Sequence, residues 1–500
     1  MAHRALETDD ILVCIFEHFI GPQETRSGRS LLQTLARLAR CCRAFSDPAL
    51  AALWKRQITL GPLLRVFSSY KISNGVYSVG DIEPLEWARF QGYASRIHIL
   101  VYTTLRNVDP FVYTCLKERS EGKPLLPSLS QLYWKQATFN DPAYILFVTP
   151  SLQFVDILLA QTEWRTNDDV EGLEGAMGHS VGLFLETISK DAPFVRKLSL
   201  IGCCLSQWAT FLQRFQALRS LDIGEVGVVD ITTLSELSAL PALQHLSVNI
   251  GEVVTGETLL KSSFGALESL NVSGAPPAVF GLLGYMGSAG LQSMTLVSSV
   301  AYTQLQLFSC SNRLRSHFCT CLRRLRIRIS VTSIEDDFSL INGIEPLLEL
   351  ALMEDVHIQL DSPIRSSDED VTSMATAWRC LERFHLWHRS AQHNPSFPSL
   401  EALRILAEHC PRLIDLDISI GAEPPLSLVS EHLSRPLRSL RLLGDVGIGD
   451  HDPKKLAAYI TALFPWLRHF EAFAWDATTN SKWREVKRQI FLPKPSEKRI

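Results

Sequence analysis

The chain has 500 residues, 46% of them apolar and 20% charged, a globular composition that excludes a wholly disordered chain. Its 49 basic and 53 acidic residues give a formal net charge of −4, without the basic excess of a dedicated nucleic-acid binder. The 11 cysteines include the adjacent pairs Cys41-Cys42 and Cys203-Cys204, which suit reduced thiols and an intracellular chain, cytoplasmic or nuclear, better than a disulfide framework.

In chain order, the first apolar pattern is Ile11, Leu12, Ile15, Phe16, Phe19 and Ile20, at helical spacing. It follows Glu7, Asp9 and Asp10 instead of a basic region, so it does not read as a signal peptide. No stretch in the chain reaches the ~18 apolar residues of a membrane span. A polar loop over residues 21–30 leads to a second helix with Leu32, Leu35, Leu38, Ala39 and Cys42 apolar. Asp47 and Pro48 then open a short third helix that runs through Leu50 and Leu53 to Trp54.

This segment resembles an F-box. The residues that carry the resemblance are Ile11-Leu12, Ile15-Phe16, Leu35, Leu38-Ala39, Cys41 to Phe45, Pro48, Leu50 and Leu53-Trp54, roughly the first tenth of the chain. The stretch from Trp87 to Ile97 resembles the segment that often follows the F-box in the large families of mushroom-type fungi. The Leu-Pro pair that usually opens the motif is missing, with Leu6-Glu7 standing nearby. The resemblance implies a substrate receptor of a cullin-RING ubiquitin ligase, docked on a Skp-family adaptor and, through it, on a cullin. A three-helix unit this small has little core of its own and gains by burying apolar faces against a partner. Ile11, Leu12, Ile15, Phe16, Leu38, Cys42, Leu50 and Trp54 are the candidate anchors. Against this stands packing of the same residues on each other or on the first repeat.

From residue 129 onward one pattern recurs: a leucine, two residues, an apolar residue, one residue, another apolar residue. It runs from Leu129-Leu132-Trp134 to Leu467-Phe470-Ala472 and includes Leu347-Leu350-Leu352. The mean step of roughly 28 residues is within or near the leucine-rich range. Prolines such as Pro127, Pro241 and Pro465 stand two residues before the leading position, where a helix gives way to a strand. One strand and one helix per unit predict an α/β, irregular leucine-rich-repeat solenoid with short parallel strands and helices on the convex side. The expected division is a helical module over 1–60, a connection over 61–92, repeats over 93–480 and a basic tail over 481–500. That tail is read as solvated, with an acidic partner or a nuclear address as the alternative.

Strand alternation then puts the residues between the apolar positions on the open, concave face. Lys197, Ser199, Asp222, Asn271 and Thr295 come first, then Arg324, Arg326 and Arg328, Glu349 and Met353. Arg383, His385, Trp387, Asp415 and Asp417 follow. The arginine trio, with Arg383, His385, Trp387, Asp415 and Asp417, forms the candidate substrate surface, because arginine and tryptophan anchor interfaces and guanidinium pairs with carboxylate or phosphate. A solvated face balanced by nearby acids is the alternative.

Catalytic motifs are not found, and no catalytic residue, metal or cofactor is expected. Cys310, His317, Cys319 and Cys321 lack a recognised zinc spacing. Gly281, Gly284, Gly287 and Gly290 read as a softened connection between repeats. Residues 166–180 and 361–373 read as polar rim loops, and Asp445 to Asp452 as a turn capping a helix at Pro453. The expected function is a non-enzymatic ligase receptor without nucleic-acid or membrane partners. The alternative is a leucine-rich-repeat scaffold without any ligase.

Overall fold

The computed structural model describes residues 8–18, 26–74, 76–103, 108–137, 146–159, 182–201, 209–224, 228–251, 264–286, 290–332, 339–389, 397–421, 435–443, 452–473 and 477–492. Two compact units divide the chain, Met1–Leu243 and Gln244–Ile500.

The first unit opens with helices α1 (Asp9–Glu17), α2 (Arg26–Leu38) and α3 (Arg43–Lys55). Strand β1 (Arg56–Gln57) follows α3 directly. The antiparallel hairpin of β2 (Lys71–Ser73) and β3 (Val76–Ser78) comes next, then the helix Pro84–Ala94. The sheet continues through β4 (Ile99–Thr103), β5 (Gln131–Ala137), β6 (Phe154–Leu159), β7 (Lys197–Ile201) and β8 (Ser220–Ile223). Its order is β1-β4-β5-β6-β7-β8, all parallel. Because β1 pairs with β4, the helical module runs into the repeat sheet without an intervening linker. Ile97, Leu100 and Tyr102 are buried at the same spacing as the later triplets, so β4 is a repeat that precedes the sequence-read array.

The second unit contains β9 (His245–Ile250), β10 (Ser269–Gly274), β11 (Ser293–Val297), β12 (Tyr302–Thr303), β13 (Arg324–Ile329), β14 (Val331–Thr332) and β15 (Asp355–Pro363). It continues with β16 (Arg383–Arg389), β17 (Asp415–Ser419), β18 (Ser439–Leu443) and β19 (His469–Ala472). All but β12 and β14, which pair with each other, form one parallel sheet in chain order. A parallel neighbour needs a crossover. Helices Pro276–Tyr285, Gln304–Phe318, Asp368–Ala377, Glu401–His409 and Pro453–Leu463 supply five of them.

The apolar spacing dictates this sheet. Leu246, Leu270, Met294, Leu325, Val356, Phe384, Leu416, Leu440 and Phe470 stand in register from β9 to β19, and all are buried. Burying each such side chain stabilises the fold by about 1.5–3 kcal/mol. A backbone device locks the register: the carbonyl before each strand accepts two successive N–H groups from the next repeat. Arg324 N and Arg323 N donate to Gln292 O, Asp355 N and Glu354 N to Arg323 O, and Arg383 N and Glu382 N to Glu354 O.

Several expectations are corrected, the first being the third helix, which starts at Arg43 with Cys42 as its N-cap and carries Pro48 in its interior. The triplet Leu347-Leu350-Leu352 is out of phase: Leu347 lies in a 3-10 helix, Glu345–Glu349, and Leu352 is exposed. The true triplet is Met353-Val356-Ile358, with all three side chains buried. Met353 therefore does not line the open face, and Glu349 pairs instead with Arg315. The segment 361–373 is no mere rim loop, because Ser367 and Asp370 form a capping box that starts the helix Asp368–Ala377. The expected tail is helical over Ala477–Ile490, with Trp483 and Val486 buried and Trp483 against Phe470. Gly281 and Gly284 lie inside the helix Pro276–Tyr285, and Gly284 leaves the room that the Arg313 guanidinium fills as it donates to Phe280 O.

Candidate partner-binding surfaces

In the helical module, Leu12 and Phe16 from α1 meet Leu35 from α2 and Ala49 and Ala52 from α3 in a small closed core. Phe16 packs edge-on against Phe45 at 5.7 Å, and Lys55 pairs with Glu17 across the ends of α3 and α1. The helical period then turns Ile11 and Ile15 outward, each 41% exposed. Cys42 is exposed as well, while Leu38 and Leu50 are half-buried. Trp54 stacks on Tyr93 at 4.7 Å, and Asp47 pairs with Arg96. The eight sequence-read anchors therefore separate. Leu12 and Phe16 hold the module together instead of facing a partner, Trp54 is engaged by the chain itself, and Ile11 and Ile15 remain as an outward apolar pair. Beside α3, Leu32, Leu53, Trp54, Leu64 and Tyr77 line a largely apolar cavity of about 860 Å³ that sequence reasoning did not anticipate.

The second surface is the open face of the second unit. On β13 burial alternates strictly, with Leu325, Ile327 and Ile329 inside and Arg324, Arg326 and Arg328 exposed. Among the described residues these three guanidinium groups make no ion pair. The neighbouring strands differ. Arg383 on β16 donates through Nε to Asp355 Oδ2 on β15 at 3.0 Å. His385 Nδ1 lies 2.7 Å from Asp417 Oδ2. Asp417, which is buried, also takes a bidentate grip from Arg441, at 2.8 Å from Nε and 2.7 Å from the terminal nitrogen. Asp415 lies 3.9 Å from His385 Nε2. Thus Arg383, His385 and Asp417 are largely satisfied by one another and by Asp355 and Arg441, whereas Asp415 Oδ1 is buried without a hydrogen-bond partner among the described residues. Trp387, half-buried, stands opposite Gln359.

Sequence reasoning missed Asp355 and His357, because the misplaced triplet hid β15. Their signal was the alternation Val356, Ile358, Leu360. His357 stacks on His385 with ring centroids 5.1 Å apart and planes 16° apart. Burial, His385 and Arg326 push its pKa down to about 4, so it is neutral at pH 7. Ser293, Thr295, Arg324, Arg326, Asp355 and Arg383 line a polar pocket of about 200 Å³.

In the first unit the corresponding face is less charged. Lys197 lies over the Phe154 ring at 5.1 Å, Ser199 is buried, and Asp222 accepts from Gly224 N.

Cys310 is buried, its thiol pushed up to about 12 by desolvation, whereas Cys319 is exposed. Among the described residues no group of three or more His, Cys, Asp or Glu could hold a metal ion. Among them also no helix is long and apolar enough to cross a membrane. Residues 166–180 and 445–451 lie outside the described residues; Asp452 caps the helix Pro453–Leu463 by accepting from Lys454 N at 3.0 Å.

The strand-per-repeat ladder defines a leucine-rich-repeat type of fold, whose open sheet suits protein binding. No family model matches the chain, and no curated protein matches it. Three solved structures show the level of similarity. A chain of the mouse RP105/MD-1 complex is 14% identical with a TM-score of 0.41, covering 85% of this chain and 59% of that one. The leucine-rich repeat-containing protein LegL7 from Legionella pneumophila is 12% identical with a TM-score of 0.30, covering 79% and 99%. A chain of the yeast Rad7 and Elc1 complex is 12% identical with a TM-score of 0.29, covering 55% and 83%. This chain thus spans 59% of the length of the mouse chain it matches. The fold assignment rests on the strand register of this chain itself.

Proposed function

We propose that the chain is the substrate-recognition subunit of a cullin-RING ubiquitin ligase. Its N-terminal helices dock a Skp-family adaptor, and the open face of its repeats holds a protein substrate. The observation that carries this reading is the division of α1, with Leu12 and Phe16 closing the core while Ile11 and Ile15 stay exposed on the adjoining face. An outward pair of isoleucines on a short helix is stabilised when a partner helix surface covers it. Such a receptor needs no catalytic residue. It acts by holding its target near a charged conjugating enzyme, which raises effective concentration. The ligase reading also places it in the cytoplasm or nucleus.

A second reading is a repeat scaffold without ligase function. It is favoured by Trp54 and Asp47, which are already engaged by Tyr93 and Arg96 and so reduce the surface left for an adaptor. Co-purification separates the two. The intact chain should recover adaptor and cullin, and the double variant Ile11→Asp/Ile15→Asp should lose both. Its unfolding midpoint should hardly move, because exposed substitutions change stability within about 0.5 kcal/mol. If the intact chain recovers no adaptor, the scaffold reading stands.

A further inference from the structure

We propose that the pocket between β11, β13, β15 and β16 is a phosphoryl-binding site that selects a phosphorylated serine or threonine on a partner protein. The lining is built for an oxyanion. Arg324 and Arg326 project from one strand two residues apart, and Arg383 borders the same space. Ser293 and Thr295, on the adjacent strand opposite Arg324 and Arg326, contribute hydroxyl donors. Its volume of about 200 Å³ accommodates a phosphoryl group with room for the residue that carries it.

Charge sets the selectivity. Three guanidinium groups face one carboxylate, Asp355, so the lining keeps a surplus of two positive charges. His357 next to it is neutral at pH 7 and adds none. A phosphomonoester carries close to two negative charges at that pH and balances the surplus, whereas a glutamate or aspartate side chain carries one. Asp355 is the built-in competitor. It already sits in the pocket, held by Arg383 at 3.0 Å, as a carboxylate in place of the ligand. A single incoming carboxylate offers Arg383 nothing that Asp355 does not, while a phosphoryl group has more charge and a third acceptor oxygen.

The inference deepens the receptor reading by naming the class of substrate, and it rests on that reading for its biological consequence. Its test does not depend on the adaptor. The full chain is titrated with arrayed phosphoserine and phosphothreonine peptides, their unphosphorylated forms, and forms with glutamate in place of the phosphoresidue. Inorganic phosphate serves as the competitor. A subset of phosphopeptides should bind at least roughly tenfold tighter than either counterpart. Arg326→Ala should lose that preference and Arg326→Lys retain part of it, with Arg412→Ala as an exposed control outside the pocket. Asp355→Asn should admit the glutamate peptides and narrow the gap. Affinity of the intact chain should fall as pH drops below about 6, where the phosphoryl group takes up a proton. Equal binding of phosphorylated and unphosphorylated peptides overturns the proposal. So does a preference that survives Arg326→Ala, or stronger binding to anionic vesicles or RNA than to any phosphopeptide. Adaptor co-purification of the Arg326 variants is measured in parallel. Failure of the intact chain to recover the adaptor, with a phosphopeptide preference that Arg326→Ala abolishes, counts against the ligase reading alone.

Discussion

At the scale of single residues, the open face of the second unit is a row of charges whose partners decide their roles. Asp417 is the hub, because it holds His385 and the Arg441 fork together while itself buried. Replacing it with alanine removes three charge-assisted hydrogen bonds. Part of that loss is screened, since Arg441 is about two-fifths exposed. Asp417→Ala should destabilise the fold by about 2 kcal/mol in denaturant titration. A shift below a few tenths would remove Asp417 from this role. His357 gives a pH signature. Its folded pKa of about 4 lies below the ordinary histidine value of 6.5, so between those values the unfolded chain binds the proton that the folded chain refuses. Its contribution is intact above pH 6.5 and is lost as pH falls toward 4. Thermal midpoints at pH 7 and pH 5 should therefore differ less in His357→Gln than in the parent. An unchanged difference would assign the acid sensitivity elsewhere. The arginine trio was legible in the sequence, since strict alternation on β13 suffices to place Arg324, Arg326 and Arg328 outside. Asp355 and His357 were not, because a leucine-rich 3-10 helix imitated a repeat six residues early.

At the scale of elements, the sequence spacing identifies a repeat without fixing its phase. Leu347, Leu350 and Leu352 match the template, yet the chain there turns through Pro346 into a 3-10 helix, and Met353, Val356 and Ile358 take the core positions. The difference is measurable. Val356→Ala should cost about 1–3 kcal/mol, as a core truncation does, whereas Leu352→Ala should cost less than about 0.5 kcal/mol. The reverse ranking would restore the leucine phase. Helix starts were harder to foresee, because they depend on capping geometry. Ser367 and Asp370 form a reciprocal cap, and Asp368 accepts from Ser399 N at 2.8 Å, tying that helix start to the next repeat. Trp378, wholly buried, donates its indole N–H to Leu347 O at 3.1 Å and ties the repeats on the other side. In the sequence the C-terminal helix reads as a tail because its apolar residues are sparse. Trp483 and Val486 nonetheless suffice to seat it on the last repeat.

At the scale of the whole molecule, the proposed receptor role needs two faces, one for each partner. The N-terminal helices present Ile11 and Ile15, and the second unit presents a stripe of arginine that makes no ion pair among the described residues. The first was half legible in the sequence. Helical spacing marks six apolar residues at the N-terminus, but only packing decides which of them close the core and which face outward. Hydrogen–deuterium exchange of the full chain, with and without a purified Skp-family adaptor, tests the central claim most directly. The account predicts added protection in α1 and α3, with exchange across β9 to β19 unchanged. No added protection anywhere, or protection confined to the repeat strands, would contradict it.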